Sequence, residues 1–128
     1  MRYLLDTHVM LWFLEDSNEL SKKSRDILMH GENELFWSSA SFWEITVKVS
    51  LGKLELEKDW QTQLEKEKKT NRIQDLPIYQ KHCEPHLKLP WYHRDPFDRL
   101  LICQAIVEDL VLITRDKHIL KYEVKTEW

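Results

Sequence analysis

Short, wholly apolar runs closed by polar residues alternate along this chain with stretches whose apolar positions recur at helical spacing. Tyr3-Leu4-Leu5 ends at Asp6-Thr7, and Val9, Met10, Trp12, Phe13 and Leu14 follow, a pattern that predicts a buried strand turning into a helix. Ser21 can cap a helix running to Gly31, with Ile27 and Leu28 turned inward and Gly31 as its stop. Leu35-Phe36-Trp37-Ser38 predicts a second strand. From Ser41 to Leu51, Phe42, Ile45, Val49 and Trp43, Val47 fall at helical spacings and Gly52 follows as a terminator, which puts Glu44 in a helix's first turn. Asp59 to Lys69 is mostly charged, with Trp60 and Leu64 as its apolar positions, and reads as an exposed helix or arm.

Ile73 to Ile78 predicts a third strand that Pro77 restricts to an edge. Tyr79 to Leu87 is a weak helix interrupted by Pro85, and Leu89 to His93 a loop. Asp95-Pro96 with Asp98 behind it is a strong helix start, because proline suits the first helical position and carboxylates suit the exposed N–H groups; the helix should run to about Asp109. Leu110 to Ile113 predicts a strand ended by Thr114-Arg115-Asp116, then a short helix to Leu120 and a last strand near Val124. Strands alternating with helices imply an α/β fold: a central parallel sheet of four to five strands covered on both faces, with ligands bound beyond the strands' carboxyl ends.

Composition narrows the function more than the fold. A chain of 128 residues has the length of one domain, so 1–128 is expected to fold as a single unit. The apolar runs are far below the roughly 18 to 20 residues of a membrane span, and the N-terminus meets Asp6 too early for a signal peptide, so a cytoplasmic protein without membrane contact is expected. Cys83 and Cys103 cannot form a disulfide framework and are both read as buried small hydrophobes. With only Gly31 and Gly52 the chain lacks a glycine-rich phosphate loop, which argues against ATP, GTP and NAD chemistry. A net charge of −3 gives no overall nucleic-acid footprint, so any such function must rest on a local site.

The local site is acidic. Asp6 and Asp116 each follow an apolar strand, Glu44 and Asp98 each lie near a helix start, and in this architecture all four places face one edge of the sheet. Carboxylates at close range repel one another and are costly to desolvate, so they require a divalent cation or raised pKa values. All-oxygen ligation suits Mg²⁺ or Mn²⁺ better than zinc. A carboxylate-held cation of this kind can activate a water and neutralise the charge that develops on a phosphodiester, which is nuclease chemistry.

Leu4-Leu5-Asp6-Thr7-His8, Ser38-Ser39-Ala40-Ser41-Phe42-Trp43-Glu44-Ile45 with Lys48 and Gly52-Lys53-Leu54, Asp95-Pro96-Phe97-Asp98-Arg99-Leu100-Leu101 with Gln104-Ala105, and Thr114-Arg115-Asp116 together resemble the PIN domain, especially VapC-like toxins of type II toxin-antitoxin systems. The resemblance spans nearly the whole chain in order. It implies a three-layer α/β/α sandwich, Mg²⁺- or Mn²⁺-dependent endoribonuclease activity, frequent homodimerisation, and inhibition by a small cognate antitoxin. It assigns Asp6, Glu44, Asp98 and Asp116 as the catalytic acids, with Asp6, Asp98 and Asp116 on the metal; whether Glu44 or Asp95 also ligates is left open. Thr7 and Ser39 would position water or a carboxylate, and Arg99 and Arg115 would meet phosphate oxygens.

Plainer roles compete at each position. Asp6 can cap the first helix, Asp98 can cap its own with Asp95, Glu44 can simply answer the helix dipole, and Asp116 can cap the turn that follows it. His82, Cys83 and His86 invite a zinc reading that lacks a fourth ligand and is disturbed by Pro85. His8 and His93 lie near the expected pocket in sequence and could touch substrate, but surface or packing roles are expected of them. Trp12, Trp37 and Trp43 read as core or a protein-contact face, Trp60 and Trp91 as partner contacts. Two other functions remain open: a PIN-fold binding module without catalysis, and, lower, a phosphatase with Asp6 as nucleophile, although His8 stands where such enzymes place a second Asp.

Overall fold

The central strand has apolar side chains on both faces, as a strand covered by helices from above and below must. In the computed structural model, which describes residues 1–128, this is β1 (Arg2–Leu5), flanked by β2 (Glu34–Ser38) and β4 (Val111–Ile113), with β3 (Ile73–Leu76) and β5 (Thr126–Glu127) at the edges. The order is β3-β2-β1-β4-β5 and every pairing is parallel. Tyr3 and Leu5 point into one core with Val9, Met10, Leu28, Ile45 and Leu64, whereas Leu4 points into the other with Leu101, Ile102, Leu112 and Ile119. The first face is covered by α1 (Thr7–Leu14), α2 (Lys22–Met29), α3 (Ser39–Ser50) and α4 (Trp60–Thr70), the second by α6 (Pro96–Glu108), to which α5 (Gln80–Cys83) and a 3₁₀ turn (Glu84–Lys88) attach. This is a three-layer α/β/α sandwich.

The chain leaves β1 toward β2 and β3 on one side and later returns to add β4 and β5 on the other. The β1/β4 boundary is therefore the point where strand order reverses, and a crevice opens there beyond the carboxyl ends. No helix is long and apolar enough to cross a membrane.

Several local expectations need correction. The third helix begins at Ser39, two residues early, because Ser38 caps it, its Oγ accepting from the Ala40 amide at 3.0 Å. Glu44 thus sits in the second turn, beyond the favourable end of the dipole. Gly31 does not stop α2, which ends at Met29 with His30 extended behind it; Gly52, at φ 71°, does follow α3 in the left-handed region. Residues 60–70 form the helix among the two expected alternatives, seated by the fully buried Leu64 and by Trp60, 5.7 Å from the Phe42 ring. Pro85 turns the expected fifth helix into α5 plus the 3₁₀ turn, the expected helix to Leu120 is a 3₁₀ turn (Ile119–Lys121), and the last strand pairs two residues beyond Val124. Cys103 is buried but Cys83 is exposed.

Candidate functional site

Asp6 is the first residue after β1 and the residue before α1, so no loop separates it from either element. Its carboxylate makes no capping bond to the helix. Instead Oδ2 accepts from the Thr114 hydroxyl at 2.6 Å, across the β1/β4 boundary, while Oδ1 is buried with no partner. A buried anionic oxygen left unpaired is costly, and burial, opposed by the Thr114 hydroxyl, raises the pKa of this carboxyl.

Asp98 has likewise been released from capping. Asp95 does that work, its Oδ1 accepting from the amides of Phe97 at 2.8 Å and Asp98 at 3.4 Å. Asp98 is then held in a crowd of its own sign: burial first, then the charges of Asp6, Asp95, Glu44 and Asp116 push its pKa up to about 8. Asp116 divides its labour, Oδ1 accepting from the His118 amide at 2.8 Å and Oδ2 lying 3.1 Å from His93 Nε2. Its partial burial raises the pKa, but the His118 amide and His93 outweigh this and hold it below the usual aspartate value.

Glu44, 2% exposed, is compensated rather than free. Lys48, one turn along α3, pairs with Oε2, and the Thr7 hydroxyl lies 2.8 Å from both Glu44 Oε1 and Ser41 Oγ. With one proton to give, Thr7 donates to the carboxylate and accepts from Ser41. Glu44 also raises the Lys48 pKa, against the opposing effect of burial.

One cavity of about 450 Å³ is lined by Asp6, Glu44, Asp95, Asp98 and Asp116 together with Lys48, Arg115, Lys117, His8, Trp12 and His118. All four expected acids and Arg115 therefore meet, and Thr7 supports them from behind. Arg115 lies against the Trp12 ring at 4.3 Å and pairs with Glu19 at 2.7 Å, with almost half its side chain exposed at the rim. Ser39 is exposed and makes no side-chain bond that touches the acids; Ser41 is the serine that reaches them.

Arg99 also departs from expectation. Its side chain is wholly buried away from the cavity, donating Nε to His86 Nε2 (2.9 Å), Nη1 to the carbonyls of Pro90 (2.7 Å) and His93 (3.1 Å) and to Tyr122 Oη (3.2 Å), and Nη2 to the Leu89 carbonyl (3.1 Å). The exposed Trp91 ring closes over it at 3.5 Å. Each guanidinium nitrogen is engaged and the group is buried away from the cavity, so it cannot reach phosphate there, and it serves as the tie that fixes residues 89–93. His82 and His86 do not converge: His82 Nε2 meets Glu108 at 3.0 Å, and His86 accepts from Arg99.

Sequence reasoning undervalued Thr114, Lys48 and His93. His93 Nε2 stands 2.9 Å from Asp98 Oδ2 as well as 3.1 Å from Asp116 Oδ2. Its proximity to Asp95 in the chain was the available signal.

A metal fits this donor set. The orphaned Asp6 oxygen and the raised Asp98 pKa are what a carboxylate pocket built around a cation would show in its absence, and the oxygen-rich lining suits a hard ion. The family model of the PIN domain matches residues 3–125, and the chain belongs to the PIN domain family. VapC-like PIN domains are nucleases, and this membership supports a hydrolase acting on nucleic acids.

Among solved structures, the chain is similar to VapBC2 from Rickettsia felis bound to a DNA fragment from their promoter, at 19% identity and TM-score 0.77, with 99% of this chain and 98% of that one covered. It is also similar to VapBC-1 from nontypeable Haemophilus influenzae (19% identity, TM-score 0.64, 99% and 97% covered) and to FitAcB from Neisseria gonorrhoeae (18%, 0.62, 97% and 95%). At these identities the likeness is one of fold. No curated protein matches the chain in sequence.

Proposed function

We propose that this protein is a Mg²⁺- or Mn²⁺-dependent endoribonuclease and the toxin of a toxin–antitoxin pair. The observation that carries the catalytic reading is the buried, partnerless Asp6 Oδ1 in a cavity with four further acids at the strand-order reversal. Asp6, Asp98 and Asp116 would hold the ion, and Glu44, already neutralised by Lys48, would complete the acidic wall without needing to ligate it. When bound, such a cation supplies an activated water and neutralises phosphate charge. The residues' own tasks are separable: Thr114 turns Asp6 so that one oxygen remains free, the His118 amide leaves Asp116 with Oδ2, and Arg115 and Lys117 on the rim attract the RNA backbone.

A further solved structure similar in fold, a toxin-antitoxin complex from Klebsiella pneumoniae (15% identity, TM-score 0.62, 98% and 96% covered), supports the toxin assignment. Trp43 and Leu51, both 62% exposed on α3 and just beyond it, offer apolar surface that an antitoxin or a second copy of this chain would cover. The test is cleavage of a mixed RNA pool by wild-type and Asp6→Asn protein with Mg²⁺, Mn²⁺ or EDTA. Metal-dependent cutting by the wild type alone is expected; equal cutting by a folded Asp6→Asn protein would remove Asp6 from the site, and no cutting under any condition would leave a binding module.

A further inference from the structure

His93, Asp98 and Asp116 bring three donor atoms within 4.8 Å of one another, and the simplest reading would make the imidazole a third metal ligand. The other ring nitrogen argues otherwise. His93 Nδ1 accepts the Asp95 backbone N–H at 3.2 Å, so Nδ1 bears no proton and the neutral ring must carry its proton on Nε2. A protonated Nε2 has no lone pair for a metal. It is a donor, hydrogen-bonded to Asp116 Oδ2 at 3.1 Å, with Asp98 Oδ2 2.9 Å from the same nitrogen.

The ring is unusually well fixed for a residue in a loop. The His93 amide donates to Tyr122 Oη at 2.9 Å, its carbonyl accepts from Arg99 Nη1 at 3.1 Å, and Tyr122 in turn donates to the Pro90 carbonyl at 2.6 Å. Backbone N–H, backbone C=O and Nδ1 are all committed, which leaves Nε2–H as the only polar group free to act on the cavity. The Asp98 carboxylate has no hydrogen bond of its own, and Asp116, held through Oδ1 by the His118 amide, has His93 as the one partner of Oδ2, so without His93 the Asp98 carboxylate would be free to turn away from Asp116. Meanwhile the partnerless Asp6 Oδ1 stands ready in the same cavity.

We infer that His93 is a positioning residue for the cation: its Nε2–H bonds Asp116 Oδ2, keeps Asp98 Oδ2 beside it, and presents these oxygens together with Asp6 Oδ1, without entering the coordination sphere. This inference rests on the metal-dependent reading above. Groups that hold metal ligands by hydrogen bonds are typically worth about 10- to 100-fold in metal affinity.

The test is direct Mn²⁺ and Ni²⁺ binding by calorimetry and electron paramagnetic resonance on the full chain, in wild-type, His93→Gln, His93→Ala and Asp6→Asn forms, with circular dichroism to establish folding. The glutamine amide nitrogen reaches the place of Nε2 and donates, so His93→Gln should hold Mn²⁺ within about threefold of wild type, while His93→Ala should weaken it about 10- to 100-fold. Unchanged Mn²⁺ affinity in a folded His93→Ala protein would overturn the positioning role. A ligating histidine would instead favour Ni²⁺ strongly over Mn²⁺ and lose that preference in His93→Gln, which would overturn the donor assignment. Imidazole ¹⁵N spectra separate donor from ligand: Nε2 should stay protonated after Mg²⁺ loading, and its deprotonation would likewise refute the donor role. If wild type and Asp6→Asn alike bind no metal, the metal-dependent reading itself fails, an outcome distinct from each of these.

Discussion

Raising the pH should destabilise the metal-free protein, against the habit of carboxylate-rich domains. Asp98 titrates near pH 8 in the folded chain instead of near 3.8, because burial and four neighbouring acids oppose its charge. A carboxyl whose folded pKa is raised binds its proton more tightly in the native state. Its stabilising contribution is therefore complete below the unfolded value and is lost as pH climbs through the folded one. At 1.36 kcal/mol per pH unit, the window from 3.8 to about 8 is worth at most about 6 kcal/mol, a large part of a small domain's stability. Asp6, also raised by burial, acts in the same direction. Asp116 is lowered, so its contribution is already complete above the ordinary aspartate pKa and does not mask the trend.

The assay is urea denaturation in EDTA between about pH 5 and about pH 8.5, with wild-type and Asp98→Asn protein. Wild type should lose several kcal/mol toward the alkaline end. Asparagine, neutral throughout, should flatten the curve and leave the variant ~3 to 6 kcal/mol more stable there. Mg²⁺ at about 100 times its dissociation constant should return about 2.7 kcal/mol to the wild type and much less to the variant. A wild-type stability that stays level or rises across this window in EDTA, or an Asp98→Asn curve that parallels it, would refute the charge crowding inferred here.

Other substitutions separate the parts of the site. Lys48→Met leaves the buried Glu44 carboxylate without its cation and should cost about 3 to 5 kcal/mol in urea denaturation; a loss under 1 kcal/mol would mean that Thr7 and Ser41 suffice. Arg99→Lys cannot reproduce the fork that spans five acceptors and should lower stability by ~2 to 4 kcal/mol and weaken metal binding through His93, whereas a phosphate-binding arginine would change the KM for RNA and leave the melting temperature alone. Ser39→Ala should be silent in both stability and cleavage, while Ser41→Ala removes a buried hydroxyl's bond to Thr7 and should cost about 1 kcal/mol.

The strands and the long sixth helix were legible because their signals are local: unbroken apolar runs, and a proline flanked by aspartates. Asp6 and Asp116 were legible for the same reason, each following such a run, and Asp98 because it stands behind that proline; Glu44 was found, but one helical turn from its expected place. What escaped depended on direction or on distant partners. Arg99 follows Asp98 on a helix, and successive residues there point about 100° apart, so if one faces the cavity the next cannot. Three serines at positions 38, 39 and 41 all suit a cap, and only the packing of Ser38 against Gln104, at 2.5 Å, decides between them. His93 owes its aim to Arg99 and Tyr122, and no short-range pattern announces a bond to a tyrosine 29 residues away.

The junction at Asp6 bears on how strongly the pocket can hold an ion. Asp6 ends a central strand and opens a helix with no intervening loop, and Asp98 lies in a helix's first turn. Binding at such places immobilises almost no backbone that folding has not already immobilised, so the ordering entropy that weakens sites on mobile loops is largely absent. The same rigidity makes the unloaded pocket a store of repulsive energy, since the carboxylates cannot drift apart to relieve it. Ion capture then draws on work already done by the folding of the sheet.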